Sequence, residues 1–223
     1  MSLLTCFDEN SSVYEIGVDE VGRGPMFGRV YTASVVLPKD EDAFDHSRMK
    51  DSKRFHSKRK IEEVADYIRA NAIAYSVSYE EAGVVDSINI LQATQQSMHT
   101  SIKETIKQLP NGSPVQLLID GNYFKPYSTM NKVRKMFDVV PHVCIEGGDN
   151  KYTSIAAASI LAKVARDAYI AEMCLQYPEL DEKYGIASNK GYGSKRHLDG
   201  IQTHGITIWH RRSFGICKKF TPS

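Results

Sequence analysis

Cysteine is scarce, and its spacing is uninformative. Cys6, Cys144, Cys174 and Cys217 form no Cys-x-x-Cys pair, and none has a histidine at zinc-finger spacing. This excludes a zinc ribbon or finger. A chain of 223 residues can bury a full core without disulfide staples, so reduced thiols in a cytoplasmic setting are expected. No apolar run approaches the ~18 residues that cross a bilayer. Met1 to Glu9 has no basic start, so neither a membrane span nor a secretory signal is expected. An excess of one charge is also missing: 28 Lys and Arg face 27 Asp and Glu, a net charge of +1. That excludes a strongly basic coat protein and an acidic disordered tail. It leaves nucleic-acid binding open, because a basic face can be offset by acids gathered elsewhere. Repeats, low-complexity tracts and Gly/Ser linkers are absent, so residues 1–223 read as one domain with a helical C-terminal part from about residue 176.

What is present alternates between strand and helix patterns. Residues 14–19, 30–37, 74–79, 115–120 and 139–145 are β-branched or apolar runs of strand length. Residues 57–72 carry Ile61, Val64, Ala65 and Ile68 on one helical face behind Ser57 as N-cap. Residues 87–109 form a longer helical stripe, stopped by Pro110 and Gly112. A short helix is expected over 130–137. A helix over 154–175 is rich in small residues that let it approach a sheet, and a last helix runs from Ser194 to Gly205. This order gives an α/β fold with an antiparallel portion where the early strands follow one another directly.

The informative residues are acids at the ends of apolar runs. Asp19 and Glu20 close one strand, Asp120 closes another, and Asp149 precedes the small-residue helix. An acid beside a buried strand is costly unless it meets a cation or several donors. Singly, each reads first as a cap or turn former. Four at strand ends can converge on one sheet edge, and all-oxygen ligation suits Mg²⁺ or Mn²⁺ rather than zinc. Neighbours on a regular strand point to opposite faces, so Asp19 and Glu20 share a site only if the strand bends there. The glycines at 22 and 24 permit such a turn. Two such metals are a phosphodiester-cleaving device.

Several motifs in order carry a family resemblance. They are Gly17-Val18-Asp19-Glu20-Val21-Gly22-Arg23-Gly24-Pro25, Asp51-Ser52-Lys53, Asp120-Gly121-Asn122, Gly148-Asp149, residues 155–167, Lys190-Gly191-Tyr192-Gly193, and His210-Arg211-Arg212-Ser213-Phe214. Together they resemble ribonuclease HII over about residues 14–214. The resemblance implies an RNase H-like fold: a central mixed five-stranded sheet flanked by helices, with a C-terminal helical segment. It implies an endoribonuclease acting on RNA/DNA hybrids and on duplex DNA with embedded ribonucleotides, cutting 5′ to the ribonucleotide and leaving a 3′-hydroxyl and a 5′-phosphate. It implies a two-metal site on Asp19, Glu20, Asp120 and Asp149. Gly22, Arg23 and Gly24 are implied to contact the ribose at the junction, and Tyr192 to pack on the next deoxyribose. The Asp-Ser-Lys motif implies that Ser52 and Lys53 contact substrate. A monomer with no membrane association is the default.

Single residues also have plainer readings. Lys163, Arg166 and Asp167 share a helix face and read as an ion-paired polar surface. Arg211 and Arg212 read either as surface charge or as phosphate contacts, and the basic stretch from Lys50 to Lys60 has the same ambiguity. His99 and His142 read as structural or surface groups. The chain departs from the family pattern at Phe27, at Arg29 where a proline is usual, at Asn189 where a histidine is usual, and at Gly147 where a lysine is usual. The segment 122–141 is longer than in compact members. Its Lys125, Lys132, Arg134 and Lys135 read first as a charged surface excursion and second as a nucleic-acid contact. Competing functions are a ribonuclease HIII-like hybrid nuclease, a non-catalytic hybrid-binding module and a small-phosphoester phosphatase. Arg23 argues against the first, because that family has Gly-Lys-Gly. The full set of four acids argues against the second. The Gly-Arg-Gly segment with Tyr192 argues against the third.

Overall fold

The computed structural model describes residues 3–9, 12–50, 52, 55, 57–131 and 135–221. The chain gathers into two compact units. The first comprises Met1–Glu20, Thr32–Ser78 and Met98–Ala162, and the second Val21–Tyr31, Tyr79–Ser97 and Lys163–Ser223.

A five-stranded mixed sheet has the order β3-β2-β1-β4-β7, with β1 Tyr14–Val21, β2 Val30–Val36, β3 Ala74–Glu80, β4 Val115–Asp120 and β7 His142–Ile145. Strand β4 lies parallel to β1 (Val18↔Ile119) and to β7 (Asp120↔Ile145). One residue beyond the Val18–Ile119 pair, the register sets Asp19 beside Asp120. Ile16, Val18, Leu117 and Ile119 pack with Met98, Ile102 and Leu109 into the main core of the first unit. Helix α3, Thr153–Gln176, begins with buried small residues, Ala156 to Ala158 among them. They allow an approach so close that a Cβ on Gly17 would lie 2.2 Å from the Ser154 carbonyl carbon. Helix α1, Lys58–Asn71, is N-capped by Ser57 and buries Ile61, Ala65 and Ile68, the face its periodicity predicts.

Three expected elements differ. In place of a helix over 130–137 there is an antiparallel ribbon, β5 Ser128–Asn131 against β6 Met136–Val139, with Met130 opposite Phe137. The left-handed Lys135 (φ 53) ends helical continuity there, and Phe137 and Val139 follow a period of two. Lys132 and Arg134 lie outside the described residues. Strand β7 is shorter than expected because Val139 belongs to β6, leaving Val140 and Pro141 between the two strands. Helix α2 spans Ala82–Ile106 and starts earlier than expected. Asn89 (φ 66) interrupts it, and its carboxamide accepts from Gln92 N at 3.1 Å, so it caps the second stretch. All four cysteines are unbridged. Among the described residues no helix is long and apolar enough to cross a membrane.

The second unit contains α4 Glu179–Tyr184, α5 Ile186–Asn189 and α6 Lys195–His204, the last capped by Ser194 and ended at Gly205 as the sequence predicts. A buried imidazole pair, His197 and His210, joins Nε2 to Nε2 at 3.1 Å. His197 Nδ1 meets the Tyr192 carbonyl at 2.9 Å, and Thr207 N–H donates to His210 Nδ1 at 3.0 Å. One assignment satisfies every bond: both rings neutral, with His210 Nε2–H donating to His197 Nε2. Burial pushes the His197 imidazole down, and burial with the neighbouring His197 pushes His210 down to about 3.

Two outcomes follow from this packing. Gly17→Ala should cost about 2–3 kcal/mol in chemical denaturation, because backbone cannot yield to the added methyl as a side chain can. The histidine pair contributes stability that is full above the ordinary value of 6.5 and is lost as pH falls from there toward 3. Thermal melts across that window should show a progressive loss, and replacing His210 by Gln should flatten it.

Candidate active site

The first unit brings three of the predicted acids together. Asp19, near the end of β1, is 4% exposed, and Asp120 ends β4. Glu20 N–H donates to Asp19 Oδ1 at 2.6 Å, so the strand end turns its own amide onto the preceding carboxylate. Burial first, then the charges of Glu20 and Asp120, push the Asp19 carboxyl well above the usual carboxylate range. Hydrogen bonds from Ser159 and from the Glu20 amide oppose that shift. Asp120 Oδ1 accepts from Gly148 N–H at 2.6 Å, which ties the end of β4 to the turn Gly148–Asn150. Asp149 is buried on that turn and accepts from Asn150 Nδ2 at 3.0 Å. The four acids therefore stand at β1, β4 and the turn after β7, all within one unit.

The chemistry of this donor set fits hard divalent cations. The donors are all carboxylate oxygens, and the mutual repulsion at Asp19 is what a cation would relieve. Among the described residues no three His, Cys, Asp or Glu side chains close into a ready-made cage. A cation of this class also takes water and phosphate oxygens, so a closed protein cage is not required.

The second unit holds the glycine-rich loop. Gly22 has φ 94, and a Cβ there would meet Arg166 Nε at 2.4 Å, so both backbone and space demand glycine. Arg23 and Gly24 are exposed. A Cβ on Gly24 would lie 3.5 Å from the Tyr192 ring, so loop and tyrosine are neighbours, and Tyr192 is 49% exposed. Tyr192 N–H donates to the Asn189 carbonyl, and the side chain of Asn189 bonds both the Tyr184 carbonyl and Gly191 N–H. Asn189, the departure from histidine, thus shapes the turn that carries Tyr192.

Two arginines lie under these segments. Arg211 is fully buried and donates to four carbonyls: Gly22 at 2.7 Å, Pro25 at 2.8 Å, Gly28 at 2.9 Å and Arg23 at 3.0 Å. Arg166 is 1% exposed and donates to the Lys190 carbonyl at 2.8 Å, with longer contacts to Arg29 at 3.4 Å and Phe27 at 3.5 Å. The expected polar face on α3 is therefore divided. Lys163 pairs with Asp167 at 2.9 Å, while Arg166 turns inward. Sequence reading missed this role because i, i+3 and i+4 spacing fixes a rough face but not which side chain crosses the buried boundary.

Ser52 is buried, with its Oγ 2.9 Å from Ser159 Oγ, so its hydroxyl reaches the group that supports Asp19. Asp51 and Lys53 lie outside the described residues. His99 bonds the Lys125 carbonyl at 2.8 Å and packs on Phe124 and Tyr127, a structural use. Phe27 is buried edge-on to His210, and the Arg29 guanidinium lies between the Tyr79 and Tyr169 rings at 3.9 and 4.4 Å, paired with Glu81. Gly147 adopts φ 63 at the start of the Asp149 turn.

A family profile described as Ribonuclease HII matches residues 16–217. A protein from Cytophaga hutchinsonii named Ribonuclease HII is 42% identical over 214 residues, 96% of this chain and 94% of its own length. Among solved structures, the ribonuclease H2 from Pyrococcus horikoshii aligns with a TM-score of 0.68 at 21% identity, covering 93% of this chain and 96% of that one. Bst-RNase HIII, solved in complex with Mn²⁺, aligns with a TM-score of 0.67 at 18% identity over 95% of this chain and 70% of its own. At these identities the structures establish the fold.

The raised Asp19 carboxyl has a stability consequence. A folded value above the unfolded one costs stability at neutral pH, and that cost disappears as pH falls below the ordinary value of 3.8. Asp19→Asn should therefore raise the neutral-pH melting temperature in chelator by an amount equivalent to about 1 kcal/mol, with the gain fading in acid. Millimolar Mg²⁺ or Mn²⁺ should raise the melting temperature of the unaltered protein and do little for the variant. A variant less stable than the parent in chelator would contradict the charge argument.

Proposed function

Because the chain belongs to the ribonuclease HII family, we propose that it is an endonuclease that hydrolyses RNA within RNA/DNA hybrids and nicks duplex DNA 5′ to an embedded ribonucleotide. The products are a 3′-hydroxyl and a 5′-phosphate. The observation that carries this reading is the like-charge convergence of Asp19, Glu20 and Asp120 at the strand ends. Such a cluster weakens the fold unless it serves a cation.

Two Mg²⁺ or Mn²⁺ ions, when bound, supply activation of the attacking water and stabilisation of the leaving oxygen. Asp19 and Asp120 are the anchoring donors, each already oriented by a backbone N–H. Glu20 and Asp149 complete the donor set and help orient the water in line with the bond to the 3′-oxygen. The loop Gly22-Arg23-Gly24 reads the ribose 2′-hydroxyl through its backbone, at a closeness that larger residues would prevent. Arg23 offers its cation to phosphate. The exposed ring of Tyr192 packs on the next deoxyribose, where a second hydroxyl would be excluded. Ser52 supports Asp19 through Ser159, and Lys53 contacts a substrate phosphate. The protein acts as a single catalytic domain, a monomer in the cytoplasm.

The deciding assay uses a DNA duplex with one ribonucleotide, an all-DNA control, and Mg²⁺ or Mn²⁺. The expected result is one nick 5′ to the ribonucleotide and none in the control. Asp120→Asn should lower kcat at least about 1,000-fold, roughly 4 kcal/mol of barrier, with the fold intact by circular dichroism. Near-normal turnover in that variant at saturating Mg²⁺ would sink the assignment.

A further inference from the structure

The two buried arginines of the second unit are an expensive arrangement. Neither makes a carboxylate ion pair among the described contacts, and each is held by backbone carbonyls. Their charges also act on each other: burial pushes both guanidiniums down, and Arg166 lowers Arg211 further. Two like charges taken out of water weaken a fold, and apolar side chains could hold a loop at lower cost. Such an arrangement persists where it achieves something packing cannot.

What it achieves is a peptide orientation. Arg211 draws the carbonyls of Gly22 and Arg23 inward at 2.7 and 3.0 Å. Across a trans peptide the carbonyl and the following N–H point in opposite directions. The N–H groups of Arg23 and Gly24 are therefore turned away from Arg211, and both residues are exposed. Arg166 does the same service for the neighbouring segment by holding the Lys190 carbonyl at 2.8 Å, two residues before Tyr192, whose ring centre is 5.9 Å from the Arg166 guanidinium carbon. The planar five-donor fork reaches the four carbonyls around Arg211 in one fixed geometry, whereas an ammonium has three donors on a single atom.

We propose that Arg166 and Arg211 are positioning residues for ribose recognition: together they present the Arg23 and Gly24 amides and the Tyr192 ring as one preset reader of an isolated ribonucleotide. This rests on the reading of the glycine-rich loop as the ribose-contacting segment. A lone ribonucleotide offers one 2′-hydroxyl in one register, so a loosened reader misses it. A continuous RNA strand offers a ribose at every step, so the same loosened reader still finds a productive register.

The test compares kcat/KM for a duplex with one embedded ribonucleotide against kcat/KM for a uniform RNA/DNA hybrid, in the unaltered protein and in Arg166→Lys and Arg211→Lys. Lysine keeps the charge and loses the fork. In each variant the ratio of the two values should fall about tenfold, the scale set by lost orientation, with the larger part of the loss in KM for the embedded substrate. A merely structural role lowers the active fraction for both substrates alike. A ratio within about threefold of the parent would overturn the proposal. A parent that cuts the hybrid but never nicks at a single ribonucleotide would instead overturn the underlying reading. If neither variant folds, the unaltered protein still decides: Nε–H protons of both arginines should exchange slowly, and fast exchange at both would refute the arrangement.

Discussion

A carboxylate buried beside two others is stable only where donors are supplied to it, and much of the first unit supplies them to Asp19. The parallel register of β1 and β4 creates the difficulty by setting Asp19 next to Asp120. The answer comes from the Glu20 amide and from Ser159 on α3, itself bonded to Ser52. Ser159 can reach the strand end because α3 lies close to β1, and it lies close because Gly17 has no side chain. Strand register, helix approach and the placement of one hydroxyl are thus links in a single electrostatic chain. The repulsion is reduced and not removed, since burial and the charges of Glu20 and Asp120 still hold the Asp19 carboxyl above its ordinary range.

The second unit meets the same problem with the sign reversed. Arg166 and Arg211 are buried cations, and the backbone answers them with carbonyls rather than carboxylates. A carboxylate partner would neutralise each arginine but leave the loop free to choose its own peptide orientation. Carbonyl partners leave the charge in place and fix that orientation. The His197–His210 pair extends the arrangement, because a neutral His197, oriented by His210, holds the Tyr192 carbonyl.

Much of this was legible in the sequence, and the illegible part has a common cause. Helix α1, strand β4 and helix α6 follow from periodicity, capping residues and breakers, all of which are local signals. The four acids stood out because charge at the end of an apolar run contradicts its surroundings. The ribbon over 128–139 was misread because Met130, Met136 and Phe137 suggest an apolar helical face, whereas all three are exposed and the cross-strand pairing sets their order. Arg166 was misread because a charged residue on a helix defaults to solvent. Its acceptors lie 24 to 139 residues away in sequence, and no short-range pattern encodes such a contact.

The departures from the family pattern point the same way. Arg29 replaces an expected proline, yet two tyrosine faces and Glu81 hold its side chain while its carbonyl faces Arg166. Asn189 replaces a histidine and spends both ends of its carboxamide on the backbone around Tyr192. Gly147 replaces a lysine at a left-handed position where glycine meets no steric cost. In each case contacts within this chain hold the local backbone: two rings and Glu81 at Arg29, a carboxamide at Asn189, an unhindered left-handed turn at Gly147. The common effect at Arg29 and Asn189 is to fix the direction of peptide groups beside Arg166 and Tyr192.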